Sequence, residues 1–230
     1  MAGLEPVIRA AAQECVGRLR DEGETDLVAV LGKPLPGVAV AHLLGVAPDD
    51  RADLDRWTDA IVSGGDALSG AGGVKAAVLE LATAFAALID ERRRLIDDPG
   101  LVPNAVEELL RLSSPLQAIG RTATRDVELH GRVIPEGRKV LLLYGSANRD
   151  PREFGPDAED LDVGRRIDRL VAFGSGAHHC VGAAVARLQA RVAIQELLAT
   201  CPDFEVDLDA IEYAPGTVVR RPCAMPVTAG

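Results

Sequence analysis

The sequence predicts a mainly α-helical protein with a small antiparallel β portion, an α+β fold. Apolar residues recur at helical spacing over residues 4–22, and another strongly helical stretch runs from Cys180, or the residues just after it, to about Thr200. Residues 119–146 instead combine β-branched side chains with the turn sequence G-R-V-I-P-E-G, which indicates short strands or hairpins and a brief helix. Residues 204–227 also have the pattern of short strands.

Helix start and stop signals divide the rest of the chain. Arg92, Arg93 and Arg94 are expected at the end of a long helix, where cations are favourable against the negative helix pole. The predicted segments are an element punctuated by Pro34 and Pro36 that ends at Gly45, a helix from Asp49 or Asp50 through Val62, a glycine-rich connection over 63–73, the long helix over about 74–94, a break at 97–100, a short helix over 104–112 and an irregular charged stretch over 147–172.

Chain length and composition indicate an ordinary globular protein with a substantial core. Hydrophobic residues make up 47% of the 230 residues and charged residues 26%, a balance that excludes wholesale disorder. No internal repeat is evident. We expect two parts, residues 1–94 and 95–230, packed as one compact domain.

Charge and composition argue against several classes of partner. The net charge of -10 and the pI near 4.9 disfavour nucleic acid and anionic membranes, since both attract clustered Lys and Arg. The aromatic content of 3% leaves little for stacking on bases. The longest apolar stretch, 76–89, is too short to span a bilayer, and the start of the chain has no apolar signal core. We therefore expect a cytoplasmic protein without nucleic-acid or membrane partners.

The cysteines do not form a disulfide pattern. Cys15, Cys180, Cys201 and Cys223 include no C-x-x-C pair, and the chain is too large and too poor in cysteine for a disulfide scaffold. Reduced thiols agree with a cytoplasmic location. Cys180 needs a separate explanation, because it lies in the most unusual segment of the sequence.

That segment runs from Phe173 to Gly182 (F-G-S-G-A-H-H-C-V-G) and includes Gly174 and Gly176. Glycine lets a backbone bend sharply and approach a flat ligand closely. Because Cys180 lies at the start of a helix, the positive helix pole and the unpaired N–H groups are expected to favour thiolate over thiol. A soft anionic sulfur in an apolar, glycine-lined loop is what haem iron requires of a thiolate ligand.

Four other interpretations of the segment are alternatives to a haem ligand. A dinucleotide loop is excluded, because the third glycine of G-x-G-x-x-G would stand at His179. The neighbours His178, His179 and Cys180 suggest zinc, but His42 and His130 stand alone and supply no second ligand cluster. A nucleophilic cysteine would have no evident base and orienting group beyond these histidines. A tight structural turn with a buried cysteine is the simplest alternative.

Several motifs in order resemble the cytochrome P450 family. Residues 173–182 match its haem-binding signature F-G-x-G-x-H-x-C-x-G, and residues 108–111 (E-L-L-R) match its E-x-x-R motif. Residues 162–165 (D-V-G-R) resemble the meander motif that completes a Glu-Arg-Arg network. Residues 148–151 (N-R-D-P) and 131–137 look like bacterial members of the family.

The resemblance implies a partial cytochrome P450 fold that retains the proximal haem half, with haem b (iron protoporphyrin IX) as cofactor. Residues 95–230 would form the haem-binding part, and residues 1–94 resemble more weakly the helices that precede the central helix. Cys180 would be the proximal iron ligand, in a loop shaped by the glycines of the motif, Gly174, Gly176 and Gly182.

The resemblance also assigns the neighbours of the haem. His178 and Arg121 would donate to haem propionates, although an ordinary exposed strand cation is the alternative for Arg121. Phe173 would pack near the sulfur and shield it from water.

Glu108, Arg111 and Arg165 form the expected structural network. Glu108 and Arg111 are close enough in sequence to share a helix face. If they are buried they need mutual pairing, and Arg165 can supply a further cation. The resemblance implies that this network holds the cysteine loop. The alternative is a solvated helix pair.

The chain also departs from the family pattern. Complete members begin well before this chain, and the passage from residues 91–94 directly to 95–99 omits a long segment with the central distal-haem helix and its acid–alcohol pair. The nearest substitute, Glu24 and Thr25, lies among acidic residues, so the catalytic residues stay unknown. Leu170 stands where bacterial members usually carry a propionate-binding His.

The resemblance implies a haem-thiolate monooxygenase that hydroxylates a small apolar substrate with electrons from a ferredoxin-type redox protein. The missing segment supports an alternative, a non-catalytic shortened homologue that acts as a partner-binding helper or is a deletion remnant. Loss of a central helix would also expose apolar surface, from which we expect oligomers or aggregation.

Overall fold

The computed structural model describes residues 3–46, 91–213 and 218–230. Helices dominate these residues, and their strands pair in small antiparallel sheets, which confirms the predicted α+β class. The expected helix from Asp49 or Asp50, the glycine-rich connection over 63–73 and most of the helix over 74–94 lie outside the described residues.

The described helices lie close to the predicted segments. They are α1 (Glu5–Glu22), α2 (Pro34–Leu44), α3 (Arg92–Asp97), α4 (Val102–Ser113), α5 (Tyr144–Ala147), α6 (Pro151–Phe154) and α7 (Ala183–Thr200). A π-helical segment covers Val28–Gly32, and 3-10 turns cover Pro99–Leu101 and Gly176–His178.

The strands are short and occupy the regions with the expected β pattern. They are β1 (Glu24–Asp26), β2 (Ile119–Thr122), β3 (Val127–Leu129), β4 (Arg132–Ile134), β5 (Lys139–Leu142), β6 (Glu205–Val206), β7 (Glu212–Tyr213), β8 (Pro222–Ala224) and β9 (Pro226–Thr228). Within the described ranges they pair in the orders β1-β9-β6, β2-β5, β3-β4 and β7-β8, all antiparallel.

Helix α1 forms because its apolar residues recur on one face, which packs against α2 and α7. Ile8, Val16 and Leu19 on this face are at most 1% exposed. Burial of each such side chain contributes about 1.5–3 kcal/mol. The helix ends at Gly23, whose φ of 77° lies in the left-handed region and whose N–H donates to the Leu19 carbonyl.

Helices α4 and α7 pack against each other and position the candidate site. Val106 and Leu109 of α4 and Ile194 and Leu197 of α7 belong to the same buried core. The E-x-x-R motif lies on α4, and the cysteine motif leads into α7. The shared core therefore fixes the positions of both motifs relative to each other.

The prediction for Arg92, Arg93 and Arg94 is wrong. The structure places them in the first turn of α3, which continues to Asp97. Arg92 donates to the Phe204 carbonyl at 2.6 Å and lies over the Phe204 ring. These contacts outweigh the helix-pole preference, which is worth only about 0.3–1 kcal/mol.

Strand β1 joins the beginning of the described chain to its end. It pairs with β9, and Asp26 Oδ1 accepts the N–H groups of Val28 and Met225, each at 2.9 Å. This pairing links residues 1–94 to 95–230 and supports our proposal that they form one domain. Among the described helices, none combines the length and the hydropathy that a bilayer span needs.

Candidate functional site

Residues 171–182, here called the cysteine loop, connect the irregular stretch to α7. The Gly174 N–H donates to the Val171 carbonyl at 2.9 Å, and the Cys180 N–H donates to the Phe173 carbonyl at 2.9 Å. Gly174 and Gly176 have φ values of 70° and 69°, in the left-handed region that favours glycine. The two glycines thus permit a tight loop that brings Cys180 back beside Phe173.

Cys180 is half-buried and lies shortly before α7, which begins at Ala183. This start agrees with the prediction of a helix that opens at Cys180 or at the residues just after it. Its carbonyl accepts the Ala183 N–H at 3.2 Å, and the carbonyl of Gly182, the residue before the helix, accepts the Ala186 N–H at 2.9 Å. In the described part of the chain the Cys180 thiol is a free cysteine, and its sulfur makes no hydrogen bond there. The sulfur is therefore available to a ligand.

The two histidines of the loop face solvent. His178 is exposed in the 3-10 turn, and His179 places Nδ1 3.3 Å from the Gly174 carbonyl. Among residues 3–46, 91–213 and 218–230, no group of three or more potential ligand side chains converges on one point. The described residues therefore give no support to a zinc site.

Phe173 is buried, with 7% exposed surface, and a side chain of α7 covers its ring. The Arg187 guanidinium lies 4.7 Å from the centre of its ring. Arg187 is itself held by two hydrogen bonds to Glu107 of α4, Nε to Oε1 at 2.6 Å and Nη2 to Oε2 at 3.0 Å. A cation held over an aromatic face stabilises the position of the ring. No sequence signal marks Arg187, because Glu107 and Phe173 approach it only in the folded chain.

Glu108, Arg111 and Arg165, here called the buried ion cluster, lie together in the structure. Glu108 and Arg111 have no exposed surface and Arg165 has 9%, so the alternative of a solvated helix pair is wrong. Arg111 donates from Nε and Nη2 to the two Glu108 carboxylate oxygens at 2.7 and 2.8 Å. Arg165 Nε donates to Glu108 Oε1 at 3.1 Å. One carboxylate thus holds two guanidinium groups.

The remaining donors of the buried ion cluster are also used. Buried charges are costly unless their hydrogen-bonding groups are satisfied, and here backbone carbonyls satisfy them. Arg111 donates to the carbonyls of Asn148, Ala158 and Asp160, and Arg165 donates to those of Phe154 and Asp157. The cluster therefore organises the irregular stretch between residues 148 and 165.

Asp157 adds a second carboxylate at the edge of the cluster. Its Oδ2 lies 3.1 Å from Arg165 Nη2. Hydrogen bonding to Arg165 lowers the pKa of Asp157, and the same contact raises the pKa of Arg165. Both shifts favour the charged forms.

The buried ion cluster reaches the cysteine loop through Asn148. Within the described residues, the hydrogen bonds that its side chains make outside the cluster end on residues 148–162, and none ends on residues 171–182. Asn148 Oδ1 accepts the Val171 N–H at 3.0 Å, while the Asn148 carbonyl accepts from Arg111. Asn148 belongs to the family-like motif N-R-D-P, but its place in the sequence does not indicate this contact.

Arg121 and the other predicted positions lie outside this arrangement. Arg121 is half-buried on β2, paired with Val140 of β5, and its Nη1 donates to the Gly120 carbonyl at 2.9 Å. Leu170 packs against the hydrophobic core. Thr25 pairs with Val227 in the β1–β9 ladder, so a strand, and not a helix, carries the Glu24-Thr25 sequence.

The loop fits a ligand that takes one bond from the protein. It offers a single sulfur, and residues 175–179 around it are exposed. At Gly176, no heavy atom lies within 4 Å of the position that a Cβ would take. One sulfur on an open, glycine-bearing loop is a donor that would suit haem iron.

The fold and the site together define a haem-thiolate class of protein, and the comparisons name its family. The family model for Cytochrome P450 matches residues 95–216, and the chain belongs to the cytochrome P450 family of haem-thiolate monooxygenases.

The chain is 42% identical to Cytochrome P450 130 from Mycobacterium tuberculosis, an alignment that covers 97% of this chain and 70% of the relative. It is 32% identical to the vitamin D(3) 25-hydroxylase of Pseudonocardia autotrophica, over 100% of this chain and 72% of that protein. The structure of CYP109Q5 from Chondromyces apiculatus matches with a TM-score of 0.88 and 30% identity, over 99% of this chain and 72% of that one.

The alignments also bear on the missing segment. The alignment with Cytochrome P450 130 is 285 residues long, whereas this chain has 230 residues. At least 55 aligned positions of the relative therefore have no counterpart here. The family model begins to match at residue 95, where the sequence predicts the junction. The chain is therefore shorter than its relative within the aligned region, and the place of the missing segment, between residues 94 and 95, stays a prediction.

Proposed function

We propose that this chain binds haem b through Cys180 and acts as a monooxygenase on a small apolar substrate. Electrons would come from a ferredoxin-type redox protein. The observation that carries the proposal is the free, half-buried Cys180 thiol on the cysteine loop, beside Phe173 and before α7. Bound haem would supply the oxygen-activating chemistry that side chains alone do not provide.

The residues of the loop have distinct parts in this proposal. Cys180 supplies the anionic sulfur, and Gly174, Gly176 and Gly182 leave the backbone free to approach the macrocycle. Phe173 shields the sulfur from water, which strengthens the electrostatic influence of neighbouring groups on it. The Arg187 guanidinium over the Phe173 ring supports this shielding function, because it holds the ring in place.

Propionate binding is assigned to His178 and Arg121. The exposed His178 ring lies at the surface of the loop, where it can donate a hydrogen bond to a propionate carboxylate. Arg121 extends from β2 with its guanidinium engaged only by a neighbouring carbonyl within the described contacts. Both contributions are small compared with that of Cys180, since hydrogen bonds of exposed charged groups are weakened by water.

The test is the absorption spectrum of the haem-loaded, reduced protein under carbon monoxide. The wild type is expected to show the red-shifted Soret band of a thiolate ligand, and Cys180→Ser is expected to lose it. Cys223→Ser is the matched control, since Cys223 is also a half-buried free thiol. A fully loaded wild type without the shifted band, or a Cys180→Ser variant that keeps it, would contradict the proposal.

A second candidate function follows from the missing aligned positions. A chain without the central distal helix would keep the proximal half of the fold but act as a non-catalytic helper of an enzyme partner. Leu141 and Leu143, 59% and 54% exposed near β5, offer apolar surface for such contacts or for self-association.

Turnover distinguishes the two candidates. Haem-loaded protein with a competent ferredoxin and reductase should couple electron transfer to product formation if the first is right. A thiolate-type spectrum without any turnover, across a panel of small apolar substrates, would favour the helper. Size-exclusion chromatography at several concentrations tests the expected self-association separately.

A further inference from the structure

Asn148 occupies a position where two otherwise separate parts of the site meet. It lies directly after α5 and is 1% exposed. Within the described ranges, the bond from the Val171 N–H to Asn148 Oδ1 is the one hydrogen bond that joins the cysteine loop to α4, α5 or the buried ion cluster. The loop's other hydrogen bonds within the described residues lie inside it or lead into α7.

Every hydrogen-bonding group of Asn148 has a partner. Its N–H donates to the Tyr144 carbonyl at 2.9 Å, and its carbonyl accepts from Arg111 Nη1 at 2.9 Å. Its side-chain Nδ2 donates to Ser114 Oγ at 2.8 Å, and Oδ1 accepts from Val171 at 3.0 Å. The two backbone bonds fix the residue, and the two side-chain bonds fix the orientation of its buried amide, because rotation of the amide would leave polar groups unpaired.

Ser114 anchors the other side of the same amide. It ends α4 in a left-handed conformation, with φ of 42°, and its hydroxyl donates to the Arg111 carbonyl at 2.8 Å. Asn148 is therefore held by Arg111 and Ser114, the residues at the end of the E-x-x-R helix. The position of Val171 follows from that of Asn148.

We propose that Asn148 is a positioning residue that fixes the start of the cysteine loop, and through it Cys180, to the buried ion cluster. From Val171 the constraint passes along the loop, since the Val171 carbonyl accepts the Gly174 N–H and the Phe173 carbonyl accepts the Cys180 N–H. The connection to haem rests on the proposed function; the connection to the loop does not.

Amide hydrogen exchange and thiol labelling of the full chain test the loop directly. Asn148→Leu removes the acceptor for Val171 and should speed exchange at Val171, Gly174 and Cys180 by about tenfold. Alkylation of Cys180 by iodoacetamide, followed by mass spectrometry, should accelerate in parallel. Asn148→Ala, with a smaller side chain, gives the same test should the leucine variant not fold.

Two matched variants separate positioning from general destabilisation. Ser114→Ala removes the partner of Nδ2 and the donor to the Arg111 carbonyl, but it leaves the Oδ1 acceptor of Val171 in place. Asn148→Asp keeps an oxygen acceptor for Val171. Both are expected to keep loop exchange within about twofold of the wild type, even if they unfold more easily. Equal acceleration in all variants, or wild-type rates in Asn148→Leu and Asn148→Ala, would overturn the proposal.

The haem-loaded protein adds a readout that a purely structural contact would not change. At matched haem loading, Asn148→Leu should lower the fraction of reduced, carbon-monoxide-bound protein with a thiolate-shifted Soret band, and Ser114→Ala should not. A wild type without that band contradicts the proposed function alone. A wild type with the band and unchanged loop exchange in Asn148→Leu contradicts the positioning alone.

Discussion

The buried ion cluster and the cysteine loop are neighbours in the fold but differ in how their polar groups are satisfied. Glu108 and Arg111 have no exposed surface, and side chains and carbonyls of this chain occupy their hydrogen-bonding groups. Residues 175–179 of the loop are exposed, and the Cys180 sulfur is free of hydrogen bonds within the described residues. The cluster is thus complete without a ligand, whereas the loop presents groups that a ligand would satisfy.

This difference predicts where stability and function reside. Substitutions in the cluster should unfold the protein whether or not haem is present, because they leave buried charges without partners. Substitutions in the loop should alter ligand binding more than folding.

Glu108→Gln should give the largest loss of stability. It leaves the fully buried Arg111 guanidinium without a counter-charge, and Arg165 with the Asp157 carboxylate alone, at a cost of about 3–5 kcal/mol in the free energy of unfolding. Glu107→Gln is the control one position earlier on α4, where the Glu107–Arg187 pair is partly exposed and worth about 1 kcal/mol or less. Urea unfolding measures both, and equal losses would show that the cluster is not the stronger element.

Gly174→Ala and Gly176→Ala should each cost about 1–2 kcal/mol, since both glycines have left-handed φ values. At Gly174 the added Cβ would only touch Tyr144 Oη at 3.5 Å and the His178 carbonyl at 3.6 Å, so sterics add little. Gly17→Ala in α1 is the control and should gain about 0.5–1 kcal/mol. A gain in stability at Gly174 or Gly176 in thermal unfolding would contradict the backbone argument.

Asp157→Asn should change the pH dependence of stability. The pKa of Asp157 is lowered by Arg165, so its charged form stabilises the fold above its unfolded pKa of about 3.9. This stabilisation is lost as the pH falls through the lower, folded pKa. The wild type should therefore be the more stable protein near neutrality, and the difference should vanish in acid. A difference that persists or grows in acid would rule out the carboxylate as its source.

Cys180→Ser should have the smallest effect on the haem-free protein, within about 0.5 kcal/mol, because the thiol is half-buried. Cys201→Ser is the contrasting variant: Cys201 is fully buried, and a hydroxyl there costs about 1–3 kcal/mol. A Cys180→Ser variant as destabilised as Cys201→Ser would favour the structural-turn interpretation.

Burial also raises the pKa of the Cys15 thiol to about 11, so Cys15 should resist alkylation at neutral pH.

The sequence was sufficient for the fold class and for the elements that carry local signals. The apolar periodicity of α1 and α7 and the turn-rich pattern of β2 to β5 lie within single segments, so their elements can be recognised one at a time. Glu108 and Arg111 are likewise neighbours on one helix. The placement of Arg92 was mispredicted because its partner, Phe204, is 112 residues away in sequence.

The contacts that support the cysteine loop could not be found from spacing. Asn148 lies 34 residues from Ser114 and 23 from Val171, and Arg187 lies 80 residues from Glu107. No periodicity links such positions, and their side chains are of types common on protein surfaces. Only the packing of α4 against α7, and of α5 beside the loop, brings them together.

The most direct test of the account is iron X-ray absorption of the haem-loaded protein. We expect one sulfur scatterer bound to iron in the wild type, retained in Cys223→Ser and lost in Cys180→Ser. A wild-type iron with nitrogen and oxygen neighbours alone, at full haem loading, would contradict the assignment of Cys180 as the ligand.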